Sequence, residues 1–180
     1  MEDVTIHVKG HDPAGYDPRA LKGMGLACAT SVRGACHLRS TSYKAELAEM
    51  IPMDQMEGKA KFFLEFEDRF NIHDSLILCR FYRDIFWDWN ILSTIVEVTT
   101  GLNLDEKALR KISSAIQDET RRFNLREGLT PKEDTLPKIF FDEPFGKDEK
   151  TIRREELQRM LQDYFALRGR SSEGIPKPEA

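Results

Sequence analysis

A mainly α, compact helical domain is what this sequence predicts, and three features predict it. Apolar residues recur at three- and four-residue spacing over several long windows. Capping residues such as Asp, Asn and Gly stand at the ends of those windows. Period-two alternation, the mark of a strand, occurs once, at the start. The 180 residues suffice for one domain with a real core and would be cramped for two.

At the N-terminus Val4, Ile6 and Val8 alternate with Thr5 and His7, which reads as a short extended or β element. His11, Asp12, Pro13, Ala14 and Gly15 read as a turn. Asp17-Pro18 then resembles a helix start, Asp as N-cap and Pro at the first helical position. Leu21, Met24, Ala27 and Cys28 would form the apolar face of that helix. Gly23 and Gly25 sit inside it, so either the helix ends early or something packs close to its backbone.

Four further helices bring the total to about five. Over 59–70, Phe62, Phe63, Phe66 and Phe70 share a face. Over 89–100, Leu92, Ile95, Val96 and Thr99 do, with Gly101 as the stop. Over 105–123, Leu109, Ile112, Ile116 and Phe123 do, with Asn103 or Asp105 as the cap and Arg121 and Arg122 at the negative end of the dipole. Over 152–168, Leu157, Met160, Leu161, Tyr164 and Phe165 do, and Gly169 ends it. Residues 124–150 carry Pro131, Pro137, Pro144 and Gly146 and read as one long irregular loop, a length that usually serves a purpose. Residues 1–170 are expected to form the single domain and 171–180 a loosely held tail.

Composition excludes several classes. Lys plus Arg is 27 and Asp plus Glu 31, a net charge of −4, which lacks the basic stripe of a nucleic-acid binder. No apolar run spans a bilayer and no basic-then-apolar segment opens the chain, so a cytoplasmic protein is expected, neither secreted nor in a membrane. The cysteines are three, Cys28, Cys36 and Cys79, widely spaced, with no CxxC among them. A disulfide framework is not expected, nor is a zinc or iron–sulfur site held by this chain alone.

Two segments concentrate reactive side chains. Residues 29–40 hold Arg33, Arg39, Cys36 and His37 among small residues. Arginines recognise phosphate in a bidentate manner, and an imidazole moves protons near neutral pH. The same composition also suits a surface turn between helices. Residues 72–81 place Asp74 before a mostly apolar run that ends at Cys79. Asp74 reads as a helix N-cap or a ligand acceptor, and Cys79 as a core residue or a thiolate ligand. His7, His11 and His73 have no metal-like spacing.

Taken in order, these segments resemble the C-terminal part of the tungsten-containing aldehyde ferredoxin oxidoreductases. The resemblance runs from Tyr16-Asp17-Pro18-Arg19 through Gly23-Met24-Gly25-Leu26-Ala27, Arg33-Gly34 and Cys36-His37. It resumes at Asp74-Ser75, Leu78-Cys79-Arg80-Phe81 and Thr100-Gly101. Arg122-Phe123-Asn124-Leu125-Arg126-Glu127-Gly128, Asp134-Thr135-Leu136-Pro137, Glu143-Pro144, Tyr164, Leu167-Arg168-Gly169 and Gly174-Ile175-Pro176 complete it, covering nearly the whole chain.

The resemblance implies an enzyme that oxidises aldehydes to carboxylates and passes electrons to ferredoxin. It implies a bis-pterin tungsten cofactor (tungstopterin) beside a 4Fe-4S cluster, set between a β-rich N-terminal domain and two mostly helical ones. This chain looks like the last helical domain. By the resemblance, Cys79 is the fourth cluster thiolate, Asp74 and Leu78 contact pterin, Arg33 and Arg39 contact pterin or phosphate, and His37 handles a proton near the metal. Two positions depart from the family pattern: Ile77 stands where the Asp-x-x-Gly-Leu-Cys motif has glycine, and Arg39 stands where lysine is more typical. The β-rich domain and the other cluster cysteines are absent from this sequence. The expected partners are therefore those domains or a complementary subunit. Alone, the chain is expected to be inactive, with no cofactor of its own, and to self-associate or bind a partner. The alternative is a helical scaffold or partner-binding subunit without catalysis.

Overall fold

The computed structural model describes residues 5–178, and over them the chain is mainly helical. Seven helices follow one another: α1 (Lys22–Thr30), α2 (Tyr43–Leu47), α3 (Lys59–Ser75), α4 (Trp89–Thr100), α5 (Glu106–Arg126), α6 (Lys138–Asp142) and α7 (Arg154–Leu167). The two beyond the expected five are α2 and α6, each of five residues, too short to show a period in sequence. The stretch 124–150 is therefore not one irregular loop: it holds a 3-10 turn at Pro131–Glu133 and α6. Among the described residues no strand forms. The N-terminal alternation closes only an isolated antiparallel bridge between Val8 and His11, and Val4 lies outside the described residues.

Helix α1 begins five residues after Asp17 rather than at it. The Asp17 carboxylate instead accepts hydrogen bonds from the Arg19 backbone N–H (2.9 Å) and guanidinium, which hold a separate turn. The two glycines of α1 do not end it, because neighbours occupy the space their Cβ atoms would need. A Cβ on Gly23 would lie 2.6 Å from the Glu46 carboxylate, and one on Gly25 would lie 2.9 Å from Ile152 Cδ1. Glu46 uses that closeness: its Oε1 accepts from the Gly23 N–H at 2.9 Å and from the buried Lys59 ammonium at 2.7 Å.

Helix α3 is the central element, packed against α1, α5 and α7. Its Phe63 and Phe70 enter the interior, while Phe62 and Phe66 remain partly exposed. The main core joins Met24, Leu26, Phe63, Met160 and Tyr164 from α1, α3 and α7. A smaller cluster of Ile72, Trp89, Leu92, Val96 and Leu109 lies where the end of α3 meets α4 and α5.

Helix α5 buries a different face from the expected one. Ile112 and Phe123 face solvent, and the row Leu109, Ser113, Gln117 and Arg121 faces inward. That row is polar because its partners are polar. Ser113 Oγ donates to Asp68 (2.7 Å), Gln117 Nε2 donates to Asn71 (2.9 Å), and Arg121 holds Asp134 through both carboxylate oxygens. Buried charges survive only when so paired. Tyr164 of α7 and Arg168, which follows that helix, share the Glu67 carboxylate of α3 in the same way, at 2.9 and 2.5 Å. After Gly169, the closing segment lays Gly174 against the Phe165 ring, and Arg122 Nη2 donates to the Lys177 carbonyl at 2.8 Å.

Candidate functional site

Helix α3 ends in a Schellman arrangement. The Leu78 N–H donates to the His73 carbonyl (2.9 Å) and the Ile77 N–H to the Asp74 carbonyl (3.1 Å). Ile77 therefore occupies the left-handed position, φ 57°, that such a cap normally gives to glycine. The glycine place of the motif is thus a real conformational demand, met here by a β-branched residue. Asp74 is accordingly no N-cap: it stands in the last turn of α3 with its carboxylate outward. Leu78 packs with Leu76 against the smaller apolar cluster. Cys79 follows with an exposed thiol, so it is not a core residue.

The loop between α1 and α2 meets this end of α3. Asp74 Oδ2 accepts from Arg39 Nη1 at 2.6 Å and from Arg80 Nη2 at 2.8 Å. Arg80 lies over the Phe70 ring at 4.1 Å. Burial, opposed by Asp74 and reinforced by Arg39 and Arg33, lowers the Arg80 pKa from its ordinary value. Arg33 folds back on its own loop, its Nε and Nη2 at 3.2 and 2.9 Å from Cys36 Sγ. His37 stands beside Tyr16 and Tyr43, ring centroids at 5.4 and 6.1 Å. Burial, and then the Arg33 guanidinium, lower the His37 pKa below its ordinary value. Tyr16 and Tyr43 stack at 3.9 Å; burial and the hydrogen bond to Tyr16 push the Tyr43 phenol up to about 12.

Arg39 and Asp74 are thus in direct contact, with Leu78 and Cys79 following Asp74 in the chain. Arg33 instead bonds Cys36 within its own loop, and His37 lies on the same loop, two residues before Arg39. Arg80 is the participant that residue-by-residue reading passed over, although it stands directly after Cys79 in the motif. Thr41 and Ser42, just past the segment that ends at Ser40, were passed over as well. Their hydroxyls and that of Ser40 are buried without a hydrogen-bond partner, as are Arg39 Nε and Arg80 Nη1. Such a concentration of unused donors suits a group rich in anionic or carbonyl acceptors. Among the described residues no three His, Cys, Asp or Glu side chains gather closely enough to hold a metal ion.

A family model described as "Aldehyde ferredoxin oxidoreductase, domains 2 & 3" matches residues 1–180. The chain belongs to the aldehyde ferredoxin oxidoreductase family. The tungsten-containing aldehyde ferredoxin oxidoreductase of Pyrococcus furiosus is 32% identical over 190 residues, covering 97% of this chain and 30% of that protein. The protein of the same name from Thermococcus kodakarensis is 31% identical over 193 residues, covering 99% and 30%. That from Pyrococcus horikoshii is 33% identical over 180 residues, covering 94% and 29%. The chain spans about 30% of the length of the curated relatives it matches, in their C-terminal part. No helix among the described residues is long and apolar enough to cross a membrane.

Proposed function

We propose that this chain is the cofactor-facing C-terminal part of an aldehyde ferredoxin oxidoreductase-type enzyme of the cytoplasm, oxidising aldehydes to carboxylates with ferredoxin as electron acceptor. The observation that carries the reading is Asp74 bridging Arg39 and Arg80, with unused donors on both arginines, beside the exposed Cys79. The donor set fits a pterin with its phosphate, so Arg33, Arg39, Asp74 and the Leu78 segment would hold that group. Cys79 would give a thiolate to a 4Fe-4S cluster whose other ligands come from the rest of the enzyme. A bound tungstopterin would supply the two-electron oxidation of the aldehyde.

The chain's own residues orient and move protons. Asp74 fixes both guanidinium planes, which sets their remaining N–H groups toward an acceptor. His37, held neutral near pH 7 by burial and Arg33, can take the proton released as water adds to the aldehyde carbon. The exposed side chains of Ile77, Phe81, Tyr82 and Ile85 lie next to Cys79 in sequence. They supply an apolar face for the missing domains or a complementary subunit.

The test is made on the native protein that contains this chain, isolated through a tag. His37→Ala is expected to keep tungsten and iron while aldehyde-dependent dye reduction falls by ~10²–10⁴-fold. Cys79→Ser is expected to lose iron. Full activity in His37→Ala, or full iron in Cys79→Ser, would overturn the respective role. The 180-residue chain alone, with one cysteine for a four-thiolate cluster, is expected to purify colourless.

A further inference from the structure

A cavity of about 420 Å³ opens between α2 and the middle of α3. Its volume lies within the range of about 300–1,000 Å³ usual for small-molecule sites. One side is aromatic: Phe66 and Phe70 of α3 and Trp87 of the following loop. The Phe66 and Trp87 ring centroids are 4.7 Å apart and those of Phe70 and Trp87 6.3 Å. The opposite side is formed by the small side chains Ala45 and Ala48 of α2 and its end. A flat ring fits between such walls better than a branched chain does.

Two buried polar atoms of lining residues, Thr41 Oγ1 and Arg83 Nε, make no hydrogen bond. Thr41 is 2% exposed, and its hydroxyl makes no hydrogen bond. Its backbone is held at φ 48°, a left-handed conformation that β-branched residues seldom adopt. Arg83 is fixed by its Nη1, which donates to the Arg80 carbonyl at 2.9 Å, while its Nε is buried and unbonded. The Asp84 carboxylate, 3.8 Å away, is too far for a hydrogen bond and points largely into solvent. With Lys44 also on the lining, two cations face one acid, so the cavity attracts an anion.

We propose that this cavity binds an aromatic monocarboxylate, its ring between Trp87 and the α3 phenylalanines and its carboxylate paired with the Arg83 and Lys44 side chains of the lining. The inference stands apart from the enzyme reading, because binding needs only this chain. Every residue named in the contacts belongs to this chain.

Phenylacetate is the probe, titrated into the full 180-residue chain by calorimetry and followed at the Trp87 indole by NMR. Saturable one-to-one binding is expected. It should weaken by about tenfold when 2-phenylethanol or acetate replaces phenylacetate, since each lacks half of the recognition. Arg83→Gln should weaken phenylacetate by a similar factor. Ala48→Trp, at an exposed lining position, should abolish binding with the circular dichroism unchanged. If Ala48→Trp fails to fold, Arg83→Gln decides. The proposal is overturned if phenylacetate shows no saturable binding, if 2-phenylethanol binds as well as phenylacetate, or if Arg83→Gln leaves the affinity unchanged.

Discussion

Arg39 and Asp74 are separated by 35 positions and meet at 2.6 Å. One belongs to the loop after α1 and the other to the last turn of α3, so their contact joins the two reactive segments. Asp74→Asn keeps the shape and removes the charge that separates Arg39 from Arg80. Both partners are about one-third exposed, so solvent screens much of the attraction. The expected loss is about 1 kcal/mol by urea unfolding, with a coupling to Arg39→Gln of about 0.5–1 kcal/mol in a double-mutant cycle. A coupling of zero would mean that the pair holds nothing together.

Ile77 is 92% exposed and sits at φ 57°. An L-residue in this conformation costs roughly 1–2 kcal/mol, and the side chain recovers little through burial. Ile77→Gly is therefore expected to stabilise the chain by about 1 kcal/mol, because the relief exceeds the added entropy of the unfolded glycine. Ile77→Val, still β-branched, should give no gain. Denaturant midpoints of the two variants check this directly.

Gly23 gives the opposite expectation. An added Cβ would press on a buried carboxylate that already holds two hydrogen bonds. Gly23→Ala should destabilise by about 1–3 kcal/mol despite the better helix propensity of alanine. Thermal unfolding reads the loss, and an unchanged melting temperature would show that Glu46 moves aside freely.

His73 makes stability depend on pH. Its buried ring meets the Phe86 carbonyl through Nε2 at 2.9 Å, and Nδ1 has no partner. Burial, partly offset by that carbonyl and then reinforced by Arg80, lowers its pKa below the ordinary 6.5, while Asp74 and Arg69 act in opposite directions. The unfolded chain binds the proton more readily, so stability is complete above about 6.5 and falls as pH drops below it. His37 acts with the same sign. Urea midpoints taken from about pH 7 down to about pH 5 should decline, and less steeply in His73→Asn. A flat profile would contradict the buried neutral ring.

Periodicity was a good guide where a helix is long and turns an apolar stripe inward. The Leu157, Met160, Leu161, Tyr164 and Phe165 face of α7 is buried as its spacing demands. Asp105 caps α5 through its carboxylate, Oδ1 to the Ala108 N–H at 2.8 Å. It was a poor guide where the interior is polar. Ser113, Gln117 and Arg121 look like a solvent face until Asp68, Asn71 and Asp134 are brought opposite them, and only the folded chain does that. The site divides in the same way. Arg33, Arg39, Asp74 and Cys79 stood out by residue type, and so did Asp74 and Cys79 by motif. The unpartnered hydroxyls of Thr41 and Ser42 did not, because an unmet hydrogen bond is a property of position.

Helix α4 has its principal helical contact with α5 alone, whereas α3 touches three neighbours. Val98 and Leu102 near its end are exposed, and only Trp89, Leu92 and Val96 anchor it. Such an element opens without dissolving the rest. In native-state hydrogen exchange, the amides of α4 should trade their protons through a partial excursion while those of α3 wait for the whole chain to unravel. The molecule would then have a hinged flap and a rigid spine, and the Arg39–Asp74 contact is fastened to the spine.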